Sequence, residues 1–198
     1  LSHDGDMLAV GATGEDSAAT GANGDQNNNS IDNAGAAYVF TREGNRWSQQ
    51  AYVKAANTGG AEEGDQFGYD VALNDNGDTL AVSAISEDSA AAGVNGDQAD
   101  DSAADTGAVY VYSRNVQDWS QQAYLKPRRS ADEALIGGLL FGFSIDLDGN
   151  GDTLAISGFN EDTNRGSVYV FERTGSNWSD QARLVASNPE IGDALGSA

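Results

Sequence analysis

Asp146-Leu147-Asp148-Gly149-Asn150-Gly151-Asp152 sets oxygen-bearing side chains at alternate positions of a short Gly-rich stretch. With Gly151 in the sixth place, Asp146, Asp148, Asn150 and Asp152 let a tight loop converge on Ca²⁺, a hard ion that takes about six to eight oxygens. A plain hairpin is the alternative reading, since Asn-Gly and Asp-Gly are favoured turn pairs. Asn74, Asn76 and Asp78 repeat the spacing with less charge, and Asp4 and Asp6 keep a remnant of it. A second recurring group is the acidic pair Glu15-Asp16, Glu87-Asp88 and Glu161-Asp162, whose Glu follows Asp6, Asp78 and Asp152 by 9 positions each time. Gathered on one face with Asp65 and Asp193, these carboxylates hold cations or meet a partner; the other reading is a solvated acidic rim.

Catalysis finds little to work with. The single His, His3, stands in a turn where Asp75 and Gly149 stand in the other copies, so a Ser-His-Asp arrangement has no footing. Abundant acids leave a glycan-active enzyme as an open alternative, because paired carboxylates suffice for that chemistry. The expectation is a protein that is not an enzyme.

These groups are spaced by a repeat. Gly-Ala-Ala-Tyr-Val-Phe (Gly35 to Phe40), Gly-Ala-Val-Tyr-Val-Tyr (Gly107 to Tyr112) and Gly-Ser-Val-Tyr-Val-Phe (Gly166 to Phe171) are one motif, and Trp47, Trp119 and Trp178 each follow its Gly by 12 positions. β-Branched and aromatic residues between a Gly and a polar turn read as a buried strand, and a kept interval implies a repeated unit. The middle copy predicts strands at Phe67 to Leu73, Thr79 to Ala84, Gly107 to Tyr112 and Trp119 to Lys126. Alternation in the last places Trp119, Gln121, Ala123 and Leu125 on one face and Ser120, Gln122, Tyr124 and Lys126 on the other. Short antiparallel strands with a doubly apolar third member describe a sheet packed between two like sheets, which is a β-propeller blade. The fold expected is therefore all-β, about three blades of four antiparallel strands. The Trp residues then seal each blade against the next, with carbohydrate stacking as the alternative. The Gln49-Gln50 and Gln121-Gln122 pairs blunt the exposed outer edge. Long polar inserts, Ser17 to Asn33 and Ser89 to Asp105, read as loops, and Thr163 to Arg165 is their short counterpart.

The blades are expected over residues 1–57 (strands two to four), 58–127 and 128–187, with 188–198 as the first strand of a following or closing blade. The head lacks nearly all of a first strand, and Gly192 to Ala198 matches Gly64 to Asp70. Either the chain is a segment of a longer repeat protein or three-blade chains assemble head to tail.

The charge bounds the partners. A net charge of −21, from 31 acidic against 10 basic side chains, leaves no basic cluster, which disfavours nucleic acid and anionic membrane surfaces. The apolar run Leu135 to Phe143 is too short to span a bilayer. With no Cys there is neither a disulfide framework nor a thiol nucleophile.

Phe67-Gly68 opening a strand, the acidic pair after the second strand, the Gly-Ala-Val-Tyr-Val-Tyr motif and Trp119-Ser-Gln-Gln-Ala-Tyr together resemble FG-GAP repeats. These are the blades of the integrin α-subunit propeller and of many bacterial surface proteins. The resemblance runs over essentially the whole chain. It departs at Leu195-Gly196, where Phe-Gly is the family's pair, and at Gly11-Ala12-Thr13, Ser83-Ala84-Ile85 and Ser157-Gly158-Phe159, where the family has Gly-Ala-Pro. It implies calcium in the turn between strands one and two, an extracellular or cell-surface location, and partner contact on the face carrying Glu15, Asp16, Asp65, Glu87, Asp88, Glu161 and Asp162. The expected function is calcium-stabilised binding or adhesion toward a protein or glycan ligand, with possible self-association. The alternative is a structural subunit that polymerises into a filament by strand complementation.

Overall fold

A computed structural model describes residues 1–58, 64–128 and 138–197. Residues 59–63 and 129–137, just inside the expected second and third units, and residue 198 in the tail lie outside the described residues. The chain is all-β and forms three four-stranded antiparallel sheets, none of them closed. The first contains β1 (Met7–Ala12), β2 (Gly21–Ala22), β3 (Ala36–Glu43) and β4 (Arg46–Lys54), in the order β1-β3-β4-β2. The second contains β5 (Phe67–Leu73), β6 (Thr79–Ala84), β7 (Ala108–Asn115) and β8 (Asp118–Leu125), in sequence order. The third contains β9 (Phe141–Leu147), β10 (Thr153–Gly158), β11 (Ser167–Thr174) and β12 (Asn177–Leu184), also in sequence order. Among the described residues no helix is long and apolar enough to cross a membrane.

The repeat read from the sequence is a repeat of register. Val10 faces Tyr38, Val82 faces Tyr110 and Ile156 faces Tyr169 across the same central pair of strands. Two apolar cores lie between the sheets. One gathers Val39, Val53, Phe67, Val82, Tyr110, Tyr112 and Trp119 between the first and second; the other gathers Val109, Val111, Leu125, Phe141, Ile156, Tyr169 and Phe171 between the second and third. β7 feeds both cores with alternate residues, which explains why its sequence is apolar on both faces.

The Gly that opens each motif has a steric cause. Gly35, Gly107 and Gly166 have φ of 77°, 77° and 74°, a region that side chains disfavour. A Cβ there would also overlap the backbone of Phe67, Phe141 and Leu195 respectively. Each motif thus begins where the chain that starts the next sheet passes directly over it. The tail obeys the same rule: Leu195 forms a parallel bridge with Gly166, as Phe67 does with Gly35. The tail therefore lies against the third sheet, and among the described residues β1 pairs only with β3.

One expectation about faces is corrected. The last strand of each sheet carries a bulge, between Val39/Phe40, Val111/Tyr112 and Val170/Phe171 on the partner strand. The extra residue is Gln50, Gln122 or Gln181. A bulge shifts the alternation by one residue. Trp119 therefore joins Tyr124 in the core toward the first sheet, while Ala123 and Leu125 face the third.

Candidate functional site

The acidic pairs close the long inserts at the neck. In the second sheet, the Asp88 side chain accepts the Asp105 N–H at 2.7 Å, and its carbonyl accepts the Ala103 N–H at 2.7 Å. The Glu87 carbonyl accepts the Gly107 N–H at 2.9 Å. The first sheet repeats all three contacts, from Asn33 and Ile31 to Asp16 and from Gly35 to Glu15. Each loop is then seated at its tip. Ser17 and Ser89 donate their hydroxyls to the carbonyls of Asp25 and Asp97, both at 2.7 Å. Asn23 and Asn95, at φ of 59° and 56°, accept the N–H of Tyr52 and Tyr124 on β4 and β8. Left-handed backbone is what Asn tolerates best among non-Gly residues. The Asn-Gly-Asp-Gln stretch shared by both inserts is thus an anchor onto the last strand of its own sheet.

The Glu of each pair turns inward. Glu87 is 1% exposed, taking the Tyr124 hydroxyl at 2.5 Å on one oxygen and Lys126 Nζ at 2.6 Å on the other. Lys126 Nζ also reaches the Thr106 hydroxyl at 2.6 Å. In the first sheet Lys54 Nζ meets Glu15 at 2.8 Å. In the third, Glu161 accepts the hydroxyls of Tyr169 and Ser167 and pairs with Arg183 at 3.3 Å. Burial pulls the Lys54 ammonium below its ordinary value, against the pull of Glu15. Burial, and then the charge of Glu87, pushes the Tyr124 hydroxyl upward, which keeps it a donor.

The residues expected on the partner face lie in different settings. Glu15, Glu87 and Glu161 serve the interior, and Asp65 is buried at 5% exposure. Asp16 and Asp88 are half-buried and tie the loop necks. Asp162 is exposed, paired with Arg165 at 3.2 Å on a turn that winds left-handed through Asp162, Thr163 and Asn164. Asp193 is exposed in the tail, where it accepts the Glu190 N–H. What remains for a partner is the outer surface of the two inserts, which bears Asp25 and Asp32 in one and Asp97, Asp100, Asp101 and Asp105 in the other, with no Lys or Arg. The two inserts occupy equivalent places in adjacent sheets. Each also touches the neighbouring repeat: β2, within the first insert, lies against β8, and Gln98, within the second, accepts at its carbonyl from Asn57 Nδ2, just past β4, at 2.6 Å.

Of the side chains expected to bind calcium, Asp148, Asp152, Asn74 and Asp78 make other contacts. Asp148 Oδ1 accepts the N–H groups of Asp152 and Thr153 at 2.7 and 2.8 Å, closing the hairpin between β9 and β10. Asp152 pairs with Arg173 at 2.9 Å, Asn150 is exposed, and Asp146 lies exposed on β9. In the second sheet Asn74 Oδ1 accepts from Asp78 and Thr79, and its Nδ2 donates to Asp78 at 2.7 Å, while Asn76 is exposed. Among the described residues no three acidic or His side chains gather at one point. As folded, both turns are hairpins closed by a capping Asp148 or Asn74.

The Trp residues show a contact that the sequence did not disclose. Trp119 Nε1 donates to Gln50 Oε1 and Trp178 Nε1 to Gln122 Oε1, each at 2.8 Å and each across two sheets. Gln50 and Gln122 are the bulged residues, so the bulge aims the amide at the neighbouring sheet. Both were expected to lie along the outer edge, and this is the second correction that the bulge imposes. The signal available in the sequence was the fixed three-residue offset from Trp to Gln, in all three repeats.

No protein-family model matches this chain, and neither does any curated protein.

Proposed function

We propose that this chain is a non-enzymatic extracellular binding module, a run of β-propeller blades of the FG-GAP type that offers its two inserts to a protein or glycan ligand. The single observation that carries this reading is the clamp on the inserts: necks tied at Asp16 and Asp88, tips seated at Asn23 and Asn95. Loops fixed on a rigid scaffold are the usual carriers of recognition, because their ordering cost is met before the ligand arrives. Their acidic surface favours a ligand with cationic groups and disfavours nucleic acid.

The test shortens both inserts to the three-residue Thr163–Arg165 connection and compares the two proteins on a glycan array and on an oligolysine-coated sensor. Binding by the parent chain that is lost in the shortened one, with circular dichroism showing that the shortened chain still folds, is the expected result. Equal binding by both proteins overturns the proposal, and so does binding by neither.

A further inference from the structure

Neighbouring sheets are joined by one repeated set of contacts. Sheet two meets sheet three, and sheet one meets sheet two, through the same set of contacts. Trp119 reaches back to Gln50 and Trp178 to Gln122. The hairpin turns stack in step: His3 N–H donates to the Asp75 carbonyl at 3.0 Å, and Asp75 N–H to the Gly149 carbonyl at 3.1 Å. Phe67-Gly68 and Phe141-Gly142 start the following sheet over Gly35 and Gly107, with φ of 91° at both second glycines.

The outer face of the third sheet presents the next members of this set. Gln181, the third bulged residue, is exposed, and Gly149 lies exposed at the hairpin tip. Ala155, Val168, Val170, Ala182 and Leu184 are half-buried to exposed, whereas their counterparts Ala81, Val109, Val111, Ala123 and Leu125 are buried beneath the third sheet. A pocket of about 100 Å³ between Ala155, Val168 and Gly196 opens on this face. The tail is already in place: Gly196 has φ of 90° and sits on Ser157 as Gly142 sits on Ser83.

The outer face of the first sheet presents the complement. Trp47 is 43% exposed under the Arg42 guanidinium, and Val10 is 41% exposed. Tyr38 and Phe40 are half-buried, whereas their counterparts Tyr110 and Tyr112, or Tyr169 and Phe171, lie in the cores. Among the described residues β1 pairs only with β3, and its other edge has the place that β5 fills beside β6 and β9 fills beside β10.

We infer that the outer face of the third sheet docks the first sheet of a second copy of this chain, head to tail. Trp47 of the second copy donates to Gln181, and Gly149 N–H donates to the second copy's His3 carbonyl. The contact continues an interface that the chain already makes twice, so its geometry needs no new element. The net charge of −21 on each copy opposes it, so association strengthens as salt screens that repulsion.

Sedimentation velocity on the 198-residue chain tests this, from micromolar to about 1 mM protein, in low salt and in about 1 M NaCl, where the screening length falls to about 3 Å. The expected result is concentration-dependent association, stronger at high salt. Trp47→Asp should block one end and Leu184→Lys the other, each weakening self-association by about tenfold or more. Mixed together, the two variants should form a one-to-one dimer and nothing larger, because each retains one intact end. Val168→Lys serves as a second blocked tail, and circular dichroism confirms that each variant folds. A single 20.5 kDa species under every condition overturns the inference. Association that either variant leaves intact, or a mixture that stays monomeric, does so as well.

Discussion

Gln122 on the last strand of the second sheet accepts the indole N–H of Trp178 on the last strand of the third, at 2.8 Å, and the Arg173 guanidinium at 3.3 Å. A single bulged amide thus joins two sheets that share no backbone ladder. Trp178 is 5% exposed, so removing its acceptor leaves a buried donor without a partner. Gln122→Ala should therefore cost about 1–3 kcal/mol in urea denaturation. Gln181→Ala, the same change at a bulge that faces no other sheet among the described residues, should stay within about 0.5 kcal/mol in dilute solution. Equal losses from both variants would sink the assignment of the amide to inter-sheet coupling.

Lys126 and Glu87 are both 1% exposed and 2.6 Å apart. Breaking a buried pair costs more than the pair contributes, because one charge is left behind in a poorly solvating interior. Lys126→Met should lower stability by about 3–5 kcal/mol, and adding Glu87→Gln should return part of that loss. A double variant less stable than the single one would contradict this.

Gly107 and Gly175 have similar positive φ, 77° and 66°, but different surroundings. A methyl group at Gly175 meets nothing, whereas one at Gly107 meets the Phe141 backbone. Gly175→Ala should cost the conformational strain alone, about 1–2 kcal/mol. Gly107→Ala should cost clearly more and loosen the third sheet first, seen as faster amide exchange in β9 to β12 than in β3 and β4. Indistinguishable urea midpoints for the two variants would refute the close approach.

Asp148 sets part of the acid limit. Partial burial acts to raise its carboxyl pKa, but the backbone N–H groups of Thr153, Asp152, Asn150 and Gly151 outweigh it and hold the group below its ordinary value of 3.8. A carboxylate depressed on folding stabilises the protein fully above its unfolded value, and that stabilisation is lost as pH falls through the folded value. Asp148→Asn keeps one acceptor oxygen, as Asn74 does in the second sheet, and cannot titrate. Melting temperatures measured from pH 7 down to about pH 2 should fall less steeply for the variant than for the parent chain. Parallel curves would show that Asp148 is not part of the acid response.

The linear pattern carried a great deal of this molecule. The bounds of β5 and β6, Phe67–Leu73 and Thr79–Ala84, are those that alternation and turn residues predict. The third strand of each repeat is where the Gly-led apolar motif puts it, because apolar alternation and turn chemistry are local properties. The assignment of side chains to faces was not local. An added residue in the last strand exchanges the faces beyond it, and one copy of Trp-Ser-Gln-Gln-Ala-Tyr read alone does not say that a residue is extra until β7 lies beside β8. The same holds for the acidic pairs. Glu87 and Asp88 are both plain acids as letters, but pairing of β7 with both β6 and β8 points one at Lys126 in the interior and leaves the other to close a loop. Sequence by itself determined the repeat, the strand type and the anchoring Gly positions, because each depends on neighbours along the chain. Only the tertiary structure decided which carboxylates are spent inside and which amides bridge the sheets, because those depend on neighbours that the chain meets after folding.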